Sequence, residues 1–278
     1  MSKVAIAVAA HPDDVEFMMG GTLLLLKRAG WETHYLNVSI GDCGSRHISP
    51  EETARVRTEE AKRAADLLGA EWHAGFSRDL SIFYDEPHLR KLAAIVREVG
   101  PEVVLTHSPQ DYMEDHANVC RLAVTAAFTH SMPNFRTQPA VEPPFKDVTI
   151  YHAMPYGLRD GLRKRVSAGL YVDVSSVAEE KLAALAAHES QRSWLEVSQG
   201  LDSYLVAMEE QDREVGRLSG TYERAEGWRR HSHLGFRAED ADPLAEALAD
   251  HCFVNEAYER DLDVFPATSK PVEGLEHA

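Results

Sequence analysis

Six apolar residues in a row, Val4-Ala5-Ile6-Ala7-Val8-Ala9, break off at Ala10-His11-Pro12-Asp13-Asp14. An unbroken run this short reads as a buried strand, and its carboxyl edge then carries one imidazole and two carboxylates. Val15 to Ala29 follows as a helix whose Phe17, Met18 and Leu23 to Leu26 would cover a sheet, with Gly30 closing it. The pattern then repeats. Thr33 to Ile40 alternates as a strand, and Ser49-Pro50-Glu51-Glu52 opens a helix that runs to Leu67-Leu68-Gly69. A short strand at 71–76, a helix at 87–99, an apolar strand at 103–107 and a helix at 115–130 come next. Strands alternating with helices predict a parallel sheet covered on both faces, with right-handed crossovers and ligands at the carboxyl ends of the strands.

The expected fold is therefore α/β: a Rossmann-like parallel sheet with helices on both faces over residues 1–175. Four prolines between Pro133 and Pro144 mark a long loop before the strand at 148–152. Beyond Asp173 the pattern turns helical, over 177–197, 201–218 and 243–251, so residues 176–278 read as a mostly helical part packed on the same domain. The tail from Val264 is polar and proline-containing, and reads as loosely ordered.

At 278 residues the chain can bury a large core. Its 29 Lys and Arg against 45 Asp and Glu, a net charge of −16, exclude nucleic acid and anionic membrane surfaces as expected partners. Cys43, Cys120 and Cys252 show no paired spacing, which argues against both a disulfide framework and a thiolate zinc site and for a reducing, cytoplasmic setting. No secretory leader pattern and no apolar run of about 18 residues is present.

Taken alone, His11-Pro12-Asp13-Asp14 also suits a plain helix start, with proline at the first position and acids in the first turn. Asp115-His116 changes the balance, because it follows another strand end and offers a third ligand of the right type. Three protein ligands with an open position for water make a catalytic zinc site rather than a structural one.

At this point the chain resembles a known family, the zinc-dependent N-acetylglucosaminyl deacetylases called PIG-L or LmbE-like. Ala10 to Asp14 with Gly20-Gly21 matches the first signature, and His107 to His116 the second. Weaker likenesses are Arg57-Thr58-Glu59-Glu60 with Leu68-Gly69, Lys181 with His188-Glu189-Ser190-Gln191, and Ala225-Glu226-Gly227. The resemblance implies that His11, Asp14 and His116 bind Zn2+, with Fe2+ an alternative, and that Asp13 is the base. It implies removal of the N-acetyl group from an N-acetylglucosamine-type sugar or glycoside by metal-activated water, and a homo-oligomer. An amidase on another N-acyl substrate and a catalytically weak sugar-binding protein are the alternatives.

One position departs from the family. Many members have histidine three residues before the last ligand, where this chain has Met113, and a thioether cannot donate a hydrogen bond to an oxyanion. Either Tyr112, His107 or His152 supplies that donor from nearby, or the metal carries the charge alone. Asp115 reads either as an acceptor orienting an imidazole or as a helix cap, and Asp111 joins it as a candidate around the site. Arg57 reads either as a substrate contact or as an ion pair with Glu60. His188 falls on a helix that the resemblance places near the site, but a lone histidine there more often simply packs. His231-Ser232-His233 reads as a solvated patch rather than a second metal site. Trp194, Trp228 and Phe236 read as core rather than as sugar-stacking rings. A dinucleotide-binding enzyme is excluded at the first turn, where G-x-G-x-x-G is missing and Asp13, Asp14 and Glu16 would face the pyrophosphate.

Overall fold

A computed structural model describes residues 3–191 and 204–263 of the chain. Strands β1 (Val4–Ala9), β2 (Glu32–Asn37), β3 (Glu71–His73), β4 (Val103–Thr106) and β5 (Thr149–Ala153) pair in parallel in the order β3-β2-β1-β4-β5. Between them run α1 (Asp14–Met18), α2 (Gly20–Arg28), α3 (Pro50–Leu68), α4 (Glu86–Val99) and α5 (Glu114–Thr129). The helix expected over 15–29 is two helices, broken at Met19 where φ is −135°. Local chemistry explains the other boundaries. Ser49 caps α3 by accepting from the Glu52 N–H, and Gly69 ends it with φ of 67°. Asp85 caps α4 in the same way, and Gly100 ends it at φ of 56°.

The sheet extends further than the parallel core. β6 (Leu170–Asp173), β7 (Ala225–Arg230) and β8 (Cys252–Val254) add antiparallel strands, giving the full order β3-β2-β1-β4-β5-β7-β6-β8. The C-terminal part thus supplies strands as well as the helices α6 (Ala178–Ala186), α7 (Tyr204–Ser219), α8 (Pro243–Ala247) and α9 (Glu256–Leu262). Of the helices expected there, residues 192–203, with Trp194, lie outside the described residues. Apolar side chains cover both faces. Leu23, Leu26, Tyr35 and Trp228 pack on one, and Ile6, Val8, Leu36 and Val104 on the other. Trp228 and Phe236 are core, as expected.

A buried polar cluster binds the C-terminal part to the first motif. The Lys181 ammonium lies 2.7 Å from Asp212 and 2.8 Å from Glu226. Glu226 also accepts from the Gly21 and Thr22 N–H groups, both at 2.8 Å, at the positive end of α2. Glycine is required at 21, since a Cβ would lie 2.5 Å from Val174. Gly20-Gly21, Lys181 and Glu226, three separate pieces of the family likeness, are therefore one structural cluster and not part of the candidate site.

Two carboxylates share a single ammonium here, and burial lifts the Asp212 carboxyl to about 6 despite Lys181. Replacing Lys181 with Met leaves both acids buried without the ammonium they share, which costs about 3–5 kcal/mol in urea unfolding at pH 8. A carboxyl whose folded pKa is raised favours the native state below its ordinary pKa, and that contribution is lost as pH rises through about 6. The deficit of the variant is therefore smaller at pH 5 than at pH 8. A wild-type midpoint at both would contradict this account.

Candidate active site

β1 has β2 on one side and β4 on the other, and the loops leaving β1 and β4 open into the crevice where the chain changes direction across the sheet. The first loop turns at Asp13, whose φ of 115° lies in the left-handed region that side chains other than glycine rarely occupy. Such a residue costs about 1–3 kcal/mol and persists only where its surroundings hold it. Here the Asn37 amide donates to the His11 carbonyl at 2.6 Å, and the Arg57 guanidinium to the Pro12 carbonyl at 2.5 Å. The Asp14 carboxylate closes the turn by accepting from the His11 main-chain N–H at 2.7 Å.

This turn carries Asp14 among three imidazoles. His11 Nδ1, His116 Nε2 and His107 Nε2 each lie 3.4 Å from one of its oxygens. Burial alone would raise the Asp14 carboxyl, but the charge of His116 and the polar ring nitrogens around it hold it well below the usual range. The far nitrogens of two rings are tied back: His11 Nε2 to Asp115 at 3.0 Å, and His116 Nδ1 to Asp111 at 3.1 Å. Burial opposes both imidazoliums, yet Asp115 and Asp14 carry His11 up to about 9, and Asp14 and Asp111 carry His116 to about 10.

The donor set fits a metal ion. Ligand atoms of His11, Asp14 and His116 all lie within 4.8 Å of one another, and the buried His116 Nε2 has no hydrogen-bond partner. Each imidazole with one nitrogen held by a carboxylate and the other turned toward a shared point is the usual environment of a metal-bound histidine. His107 is placed differently. It stacks on His116 with ring centroids 4.1 Å apart, and its Nε2 already accepts from the Ala10 N–H at 2.8 Å.

Asp13 stands beside this set without joining it. Burial pushes its carboxyl up to about 6, against the lowering charge of Arg57 3.8 Å away. Tyr204, on α7, donates its hydroxyl to Asp13 at 2.7 Å. A cavity of about 420 Å³ opens over both carboxylates, with Phe17, Met18 and Tyr156 among its apolar walls and Tyr112 and Leu80 at its edge. That volume lies in the ordinary range of small-molecule sites.

The remaining expected residues sort by this geometry. Asp115 is no helix cap. It accepts from the Leu80 N–H at 2.7 Å and orients His11, across the crevice, rather than its neighbour His116. Arg57 is buried, and its partners are Pro12 and Gly41 rather than Glu60, which instead holds Ser190 through its N–H and hydroxyl. His188 does not line the cavity. It is fully buried with its Nε2 3.3 Å from Glu16, and although burial opposes the charged imidazole, Glu16 and Asp13 together raise it. His231 pairs with His152 at 3.0 Å, so the 231–233 segment forms no metal cluster among the described residues. Of Tyr112, His107 and His152, only Tyr112 lines the cavity. Tyr204 and Asp79 have no local sequence signal, since each reaches the site from a distant element.

The chain is similar to several known proteins. Residues 6–128 match the PIG-L family, described as GlcNAc-PI de-N-acetylase. Diacetylchitobiose deacetylase of Thermococcus kodakarensis is 29% identical over 196 residues, 68% of this chain and 70% of the relative. 4-Oxalmesaconate hydratase of Pseudomonas putida is 33% identical over 132 residues, 45% of this chain and 51% of the relative. The solved N,N'-diacetylchitobiose deacetylase of Pyrococcus horikoshii shares the fold with a TM-score of 0.69 at 24% identity, covering 87% of this chain and 89% of that one.

If Asp111 aligns His116 for a metal, Asp111→Ala weakens zinc binding at this site by about 10- to 100-fold in calorimetric titration, with the fold intact. Unchanged affinity would remove Asp111 from the account.

Proposed function

We propose that this chain, which belongs to the PIG-L family over residues 6–128, is a metal-dependent hydrolase that removes the N-acetyl group from an N-acetylglucosamine-type sugar or glycoside. The observation that carries this reading is Asp13, a carboxylate held in the cavity beside the His11, Asp14 and His116 donors but outside them. Binding alone needs no such group, whereas amide hydrolysis needs a proton acceptor next to the attacking water.

A divalent ion held by His11, Asp14 and His116 would supply a Lewis acid, acidifying water and taking up charge from the carbonyl oxygen. Asp13 takes the proton as water adds to the acetamide carbon, while Tyr204 and Arg57 fix its carboxylate in place. As the C–N bond breaks, Asp13 returns that proton to the departing nitrogen, giving acetate and a free amine. Tyr112 at the cavity edge is the donor available to the carbonyl oxygen in place of the histidine that Met113 replaces. Phe17, Met18 and Tyr156 offer apolar surface to the carbon-bound hydrogens of a sugar.

Two relatives named as deacetylase and hydratase use related chains, so hydration of an unsaturated acid is the second reading, favoured by the 33% identity to the hydratase. Against it, Arg57 is the one cationic side chain among the described cavity residues besides the histidines, and it is already engaged by two carbonyls. A substrate with several carboxylates would find little there to bind it.

Incubating the zinc-loaded protein with a panel of N-acetyl sugars and glycosides, and reading free amine by fluorescamine, tests the proposal. Asp13→Asn lowers kcat by about 10²- to 10⁴-fold while the metal content stays the same. Retained turnover in Asp13→Asn would exclude Asp13 as the base, and no amine from any substrate would exclude the deacetylase.

A further inference from the structure

A second group of ligand-type side chains lies at the sheet edge, on residues that do not line the cavity. β2 and β3 form the outer parallel pair, with His34 opposite Glu71 and Leu36 opposite His73. Strand alternation puts Glu32 and His34 on one face of β2 and Glu71 and His73 on the same face of β3. His34 Nδ1 lies 2.9 Å from His73 Nε2 and 3.9 Å from the Glu71 carboxylate, and its Nε2 lies 3.3 Å from Glu32. Ligand atoms of His34, Glu71 and His73 fall within 4.8 Å of one another.

Glu32 sets the tautomer. By accepting from Nε2–H it leaves the lone pair of His34 on Nδ1, pointed at His73 and Glu71. Carboxylate, imidazole and a convergent second imidazole with a further carboxylate are the parts of a metal site with its orienting partner already in place. We propose that His34 Nδ1, His73 Nε2 and the Glu71 carboxylate hold a divalent transition metal of the zinc class, independent of the cavity site.

Two imidazoles on one tetrahedral zinc, at about 2.0–2.1 Å each, stand about 3.3 Å apart, so the pair needs to open by only a few tenths of an ångström. The Glu71 side chain, 67% exposed, faces solvent and leaves the fourth position to water. Nitrogen donors select zinc, nickel or copper over magnesium and calcium. The ion would pin β3, a three-residue strand bonded to β2, just ahead of the segment that brings Asp79 and Leu80 to the cavity.

The test strips the full chain with chelator, dialyses it against micromolar zinc and counts ions by mass spectrometry alongside melting curves. Wild type should hold two ions, His73→Gln one, His116→Ala one and the double variant none, and zinc should raise the melting temperature of His116→Ala but not of the double variant. Glu71→Gln, at an exposed position, should weaken the strand site by about tenfold or more with the fold unchanged. Equal metal content in wild type and His73→Gln, or no ion in His116→Ala, would leave a plain hydrogen bond between two imidazoles and overturn the proposal. Full metal content in His116→Ala would instead count against the cavity site alone, so the two readings fail separately.

Discussion

The Asp14 carboxylate is the interaction on which the rest of the site depends. It is buried, and a buried carboxylate survives only with hydrogen bonds or positive charge around it. The His11 main-chain N–H and the rings of His11 and His116 supply these, and they come from the end of β1 and from the start of α5, just after β4. Satisfying one carboxylate therefore fixes the spacing between two strand ends. Asp13, one residue earlier, meets the opposite environment, pushed up by burial where Asp14 is held down by imidazoles. Adjacent carboxylates driven apart in this way are suited to different jobs, one as ligand and one as proton carrier.

That division rests on distant parts of the chain. Asp13 sits in a strained left-handed turn, and what holds it is Arg57 from α3, Asn37 from β2 and Tyr204 from α7. The C-terminal part is in turn locked to the first motif by Lys181, Asp212 and Glu226, and to α3 through Glu60 and Ser190. It is therefore both a structural brace and the source of a cavity residue.

Much of this was legible in the residues. Apolar runs alternating with capped helices announce a parallel sheet, because strand and helix periods and their punctuation are local signals. His11, Asp13, Asp14 and His116 stand out as a candidate set because they lie in two short segments that follow strands. Tyr204 and Asp79 could not, since each is an ordinary residue that only the tertiary fold brings to the cavity. β7, with the sequence Ala-Glu-Gly-Trp-Arg-Arg, has no strand pattern of its own and is a strand by virtue of pairing with β5 and β6. Asp115 was recognisable as an acid able to orient an imidazole, but only the fold shows that the ring is that of His11.

The central claim is that water, with its proton passed to Asp13, cleaves an N-acetyl group in this cavity. Turnover of an N-acetyl sugar in water enriched in oxygen-18 tests it most directly, with both products read by mass spectrometry. The account predicts one solvent oxygen in the released acetate and none in the amino sugar. Solvent oxygen appearing in an intact product, with no acetate released, would contradict it.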